Sequence, residues 1–348
     1  MTSEAWAHIS NGLVDSTIIV LTLALITFAL DLAVGSGKRR VQQQRQRQLA
    51  QQRASSRSSV AVVSPAAIDD DPLPADERWA RVGVSLSVLA AALISLAVLT
   101  RGLSAQRPPW GNMYEFTVTS VAVLMVTWVL MVGRRKDWRD LGVIVVLFCL
   151  LLLGVAVLVL YTESAQLVPA LNSYWLWIHV TAAIISSGVF TVGSLASVLY
   201  LFRERTERRV TASQSGGVLD AISSRLPSST SLDRVAYQTI AFAFPLWFFA
   251  VVAGAIWAED AWGRYWGWDP KETSALVTWL SIAAYFHARA GNGSVAGAPG
   301  IRKVVPARVR RGWRPDPMWW LVVMWGLVMF TYFAVNLWVS GLHSYAGV

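Results

Sequence analysis

Eight stretches of this 348-residue chain, at 13–34, 79–100, 114–132, 141–161, 174–201, 237–257, 273–288 and 318–340, are almost unbroken runs of apolar residues. A bilayer core about 30 Å thick needs about 20 such residues per helix. Backbone in lipid must satisfy its own hydrogen bonds, so runs of this kind become helices or closed barrels, and their length selects helices. The expected fold is all-α: a polytopic membrane protein with eight transmembrane helices. The seventh run is short unless its helix begins near Pro270, a residue suited to a first helical turn. Charged residues make up 15% of the chain, against about 25% in soluble domains. A soluble enzyme, a nucleic-acid binder and a secreted disulfide scaffold are excluded together. The single cysteine, Cys149, lies inside the fourth run, so neither an intrachain disulfide nor Cys-x-x-Cys chemistry is available.

Basic residues orient the spans. No Lys or Arg precedes the first run, while Lys38, Arg39 and Arg40 follow it at once. An uncleaved first helix with an outer N-terminus is expected, and an even number of spans then puts both termini outside. Of the 30 Lys and Arg residues, the outer segments keep only Arg101, Arg107, Arg264 and Lys271. The remainder fall in inner segments, which accounts for the +9 net charge without nucleic acid. Residues 1–34 form an N-terminal transmembrane helix. Residues 35–78, with VQQQRQRQLAQQRASSRSS followed by DDDPLPADE, read as a disordered or loosely helical cytoplasmic tether. Residues 79–348 form the membrane domain.

The four histidines sort by this topology. His179 follows Tyr174, Trp175 and Trp177 at the outer end of span five, and His343 comes just after span eight on the same side. His287 lies roughly 25 Å of helix rise beyond Pro270, in the inner half of span seven. His8 has no aromatic company and reads as a tail residue. A histidine among interfacial aromatics is often a boundary residue, whereas an ionisable group inside a span marks a functional site. Two imidazoles reaching one face can ligate a haem iron from opposite sides, but cannot close a zinc site alone.

Between spans six and seven the chain reads Trp257-Ala-Glu-Asp-Ala-Trp262-Gly-Arg264-Tyr265-Trp266-Gly-Trp268-Asp269-Pro-Lys271-Glu272. An aromatic belt explains Trp257 and Trp268. The rest form an aromatic shelf, in which Gly263 and Gly267 allow a flat object to approach the backbone. A large planar ligand with acidic substituents suits it, stacking on indoles and pairing with Arg264 and Lys271. Haem meets each requirement, quinone lacks the acids, and a protein interface stays open because Trp, Tyr and Arg also serve as binding hot spots. A second outer cluster, Pro108-Pro109-Trp110-Gly-Asn-Met-Tyr114-Glu115-Phe116, reads as another wall of the same cavity.

Together WGRYWGWDPKE, the PWGNMYEF loop, the WLWIHV entry, YFHAR in span seven and the terminal GLHSY resemble the CcsA/ResC-type subunit of the System II cytochrome c synthetase, labelled CcsB in actinobacteria. The similarity covers roughly residues 79 to 345. The resemblance implies that His179 and His343 are axial ligands to haem iron and that His287 holds haem within the membrane. It implies that Trp262, Trp266, Trp268 and Asp269 form the tryptophan-rich WWD core. It also implies a cell-membrane location, haem b as a transient, substrate-like cofactor, a ResB-like membrane subunit, an apocytochrome c and a thioredoxin-like thiol reductant as partners. Trp110, Glu115, Trp257, Arg264, Tyr265 and Lys271 complete the expected haem contacts. The chain departs from the family at Ser274, where many members carry tryptophan, and in the Gln/Arg-rich tether. A haem transporter without ligation activity and a fixed-haem electron-transfer subunit are the rival readings.

Overall fold

The computed structural model describes residues 2–55, 76–134, 136–164, 173–211, 223, 226–291, 316–339 and 341–342. Among them there is no strand, and each of the eight apolar runs is occupied by a helix. These are α1 (Ser3–Ser55), α2 (Asp76–Ala105), α3 (Met113–Arg134), α4 (Gly142–Leu158), α5 (Tyr174–Thr211), α6 (Ser229–Trp262), α7 (Pro270–Gly291) and α8 (Met318–Leu337). Within α8, residues Phe330–Ala334 form a π-helical turn.

Six of these helices, α1, α2, α3, α5, α6 and α8, are long and apolar enough to cross a membrane. The other two of the eight expected spans fall short of that measure. α4 is apolar but short. α7 starts at Pro270, as its length requires, yet carries Lys271, Glu272, Ser274, Thr278, Ser281, His287 and Arg289. Of these, Ser274, Thr278 and Ser281 are buried against the bundle. The protein is a multi-span membrane protein. α1 runs past its apolar stretch through Ser55, and residues 56–75 of the expected tether lie outside the described residues.

Lipid tails are as apolar as leucine, so helices in a membrane associate through close packing rather than water exclusion. The chain supplies small residues where this is needed. The Phe28 ring of α1 is seated between Gly83 of α2 and Gly142 of α4, where an added Cβ would come within 2.8 Å and 2.5 Å of it. Trp128 of α3 closes the same contact edge-on at 5.9 Å. α5 is the most buried of the six. It lies along α6, with Gly193 against Thr239, and its hydroxyls turn back onto their own helix, as Ser187 does to the Ala183 carbonyl. α8 rests on α5 and α7, whereas α6 and α7 meet at few points. A cavity opens where they part.

Candidate functional site

The chain between α6 and α7 is built by its two caps. α6 ends at Gly263 in the left-handed region, φ +68°, where its N–H donates to the Glu259 carbonyl at 2.8 Å. α7 begins with a reciprocal capping box. Asp269 Oδ1 accepts the Lys271 N–H at 3.0 Å, and Glu272 Oε2 reaches back to the Asp269 N–H at 3.1 Å. The same Glu272 oxygen accepts the Gly267 N–H at 2.8 Å. Trp268, held between these two amides, adopts φ +58°. That conformation costs a residue with a Cβ about 1–2 kcal/mol. Trp268 stands 69% exposed.

Above this turn lies an open cavity. It is bounded by the Trp110 loop, the start of α5, the C-terminal half of α6, the start of α7 and the end of α8. Both loops marked by the sequence therefore meet at one end of the bundle. Of the expected site residues, Trp110, His179, Trp257, Tyr265, Trp266 and Lys271 line this cavity.

His179 is oriented from one side. Its Nδ1 lies 2.7 Å from the Ala250 carbonyl of α6. A carbonyl can only accept, so Nδ1 carries the proton, and in the neutral ring the lone pair is then on Nε2, the form that binds metals. Trp257 is stacked beside the imidazole at 6.2 Å and 12°, and Trp262 backs Trp257 edge-on at 4.8 Å. The Trp257 side chain is thus buried packing, not an interfacial belt.

Other expected residues stand around the cavity without lining it. Arg264 folds over Gly267, in the space a side chain there would take. Trp268 packs edge-on against Trp266 at 5.8 Å and points away. Asp269 is a cap. Glu115 is fully buried behind the Trp110 loop, where Arg101 Nε donates at 3.1 Å and Arg107 Nη1 at 2.7 Å. The Gly111 N–H adds a third bond at 2.9 Å. This carboxylate shapes the loop rather than facing the cavity. His287 is exposed on α7 and is not part of the cavity. His343 lies outside the described residues, but Leu342, immediately before it, lines the cavity and donates its N–H to Asp269 Oδ2 at 2.8 Å.

Trp247, Tyr332 and Asn336 are wall residues that the sequence did not single out, whereas Met113 and Phe116 belong to the Pro108–Phe116 cluster that it did. Phe116 and Tyr332 pack edge-on at 4.6 Å across the floor. Met113, Trp247 and Asn336 complete it. The Trp110 and Trp247 indole nitrogens and Asn336 Oδ1 are buried there with no hydrogen-bond partner among the described residues. Such orphans are costly unless something else satisfies them. Lys271 precedes the apolar stretch of α7. Burial lowers its ammonium from the ordinary lysine range to about 8, and the Asp269 carboxylate opposes that shift. Ser274, where a tryptophan was the alternative, is buried and accepts a hydrogen bond from Thr331 at 2.9 Å, tying α7 to α8.

Residues 110–343 match the Cytochrome C assembly protein family. The chain is similar to the cytochrome c biogenesis protein CcsA of Guillardia theta, with 31% identity over 282 residues, 76% of this chain and 85% of the relative. It is likewise 31% identical over 293 residues to CcsA of Cyanophora paradoxa, covering 74% of this chain and 85% of that one. CcsA of Parasynechococcus marenigrum is 39% identical over 202 residues, 53% of this chain and 59% of the relative.

Proposed function

The chain belongs to the cytochrome c assembly protein family, and from that premise we propose that its cavity holds haem b as a transient substrate for attachment to an apocytochrome c. The observation that carries this reading is His179. A histidine with Nδ1 committed to a backbone carbonyl and Nε2 basic is oriented for an iron, and it stands in a cavity walled by indoles. The cavity suits the rest of the molecule. Trp257 and Trp266 offer stacking surfaces, Lys271 offers a cation for a carboxylate, and the two orphaned indole N–H groups offer donors. His343 supplies the second axial imidazole.

The chemistry belongs to the two partners. Each thiol of a Cys-x-x-Cys-His segment adds across one haem vinyl group. A sulfur–carbon bond forms, the thiol hydrogen ends on the neighbouring vinyl carbon, and nothing leaves. The protein's contribution is to hold the ring with its vinyl edge toward the incoming peptide, an effective-concentration effect. Axial imidazoles meanwhile hold the iron and govern its potential. The cavity faces the extracytoplasmic side of the cell membrane, in accord with the scarcity of basic residues in the loops around it. His287, on the exposed side of α7, holds haem on its way from within the bilayer, next to a ResB-like subunit. A thioredoxin-like protein keeps the substrate thiols reduced.

The test is the visible spectrum of the protein purified with its ResB-like partner, beside His179→Ala and His343→Ala. A b-type spectrum, shifted in both variants and restored by imidazole, is expected. Haem unaffected by either change overturns the axial assignment. Thioether-linked haem on a co-expressed apocytochrome separates synthetase from transporter: a transporter loads haem but leaves none covalently bound.

A further inference from the structure

We infer that Asp269 is a positioning residue that ties the loop to the C-terminal segment and thereby delivers the second axial ligand. This rests on the haem-binding reading above and deepens it. Asp269 is 6% exposed, and its two oxygens are spent in different directions. Oδ1 caps α7 through the Lys271 N–H at 3.0 Å, while Oδ2 accepts the Leu342 N–H at 2.8 Å, across 73 residues of sequence.

A helix N-cap alone does not require a carboxylate, since asparagine, serine and aspartate serve about equally well. What requires one here is the second acceptor. Asparagine has a single acceptor oxygen and an NH₂ group, which cannot receive an N–H. Gly341 adds a steric argument. A Cβ at that position would stand 2.6 Å from Asp269 Oδ2, so the chain approaches the carboxylate as closely as only glycine permits. The segment is thus fitted to this one side chain. Leu342 lines the cavity, and the next residue in the sequence is His343. The loop that carries Trp266 and the segment that leads to His343 share one anchor, so neither is placed independently of the other. Groups behind a metal ligand that orient it typically change affinity about 10- to 100-fold when removed.

Asp269→Asn separates the two roles, because its one oxygen keeps the cap while its NH₂ confronts the Leu342 N–H. In the complex with the partner subunit, haem stays bound through His179, but the six-coordinate low-spin spectrum turns five-coordinate and high-spin. Added imidazole restores it, at a concentration about 10- to 100-fold below that needed to compete in the unsubstituted protein. Leu342→Pro removes the donor instead of the acceptor and gives the same spectrum, and the double variant goes no further than either alone. His343→Ala is the reference. If it turns the haem high-spin while Asp269→Asn and Leu342→Pro stay low-spin, the inference is overturned and the axial reading survives. If His343→Ala itself stays low-spin, the axial reading has failed.

Discussion

Gly254 lies directly beneath the His179 imidazole: a Cβ built on it would come 2.6 Å from Nδ1 and 2.7 Å from Cε1. The ring occupies the volume that any other residue would need, one turn beyond the Ala250 carbonyl that it bonds. Gly254→Ala therefore displaces the imidazole and breaks that bond. The helix itself gains, since alanine is favoured over glycine by about 1 kcal/mol in a helix interior. The expected outcome is a split: haem affinity falls about tenfold or more, as when an orienting partner is lost, while the thermal midpoint of the haem-free protein does not fall. A titration of purified protein with haem, set beside a melting curve, reads both.

Lys271 makes the site sensitive to pH in two opposite directions. Its ammonium titrates near 8 because burial disfavours the charge. A group whose folded pKa lies below its unfolded value stabilises the fold above the unfolded pKa, and that contribution is lost as pH falls through the folded one. The haem-free protein thus becomes more stable between pH 8 and the ordinary lysine range. Carboxylate binding needs the charged form, so haem affinity declines as pH rises through about 8. Lys271→Met is expected to flatten both profiles. Melting and haem titration from about pH 7 to about pH 9.5, within which an unshifted lysine stays charged, measure them.

Much of this was legible before any coordinates. Both loops reach one cavity, and His179, Trp257 and Lys271 stand in its wall; a tryptophan cluster denser than an interfacial belt needs, with ionisable residues among it, marked the place. The floor was not legible. Trp247 and Tyr332 lie in apolar runs, where a side facing a cavity and a side facing lipid have the same composition. Gly254 was the available signal, since a small residue inside a span marks close approach. Glu115 is expected at the cavity because it belongs to the Pro108–Phe116 cluster. Its arginine partners come from 14 and 8 residues away across a turn, a pairing that follows from the fold of the loop rather than from helical spacing.

Glu115 accordingly affects stability before it affects binding. Its carboxylate is fully buried between Arg101 and Arg107, whose side chains are 3% and 7% exposed. Glu115→Gln leaves two buried guanidinium groups without their anion. Removing one member of a buried ion pair costs about 3–5 kcal/mol. A lowered melting temperature is expected even without haem, together with weaker haem binding through displacement of Trp110. Unchanged melting would show that the two arginines are neutralised elsewhere.

His287 and His179 do not share a cavity: one is exposed on α7 and the other faces the indoles between α5 and α6. If His287 serves delivery and His179 serves holding, their losses separate by how haem is supplied. His287→Ala lowers the haem content of protein purified from cells, since that haem must arrive through the membrane. The same variant, given haem in detergent, reaches the cavity directly and shows the unsubstituted spectrum and affinity. His179→Ala fails in both cases. Equal loss under both conditions for His287→Ala would instead place that histidine in the holding site, and would require α7 to turn toward the cavity when haem binds.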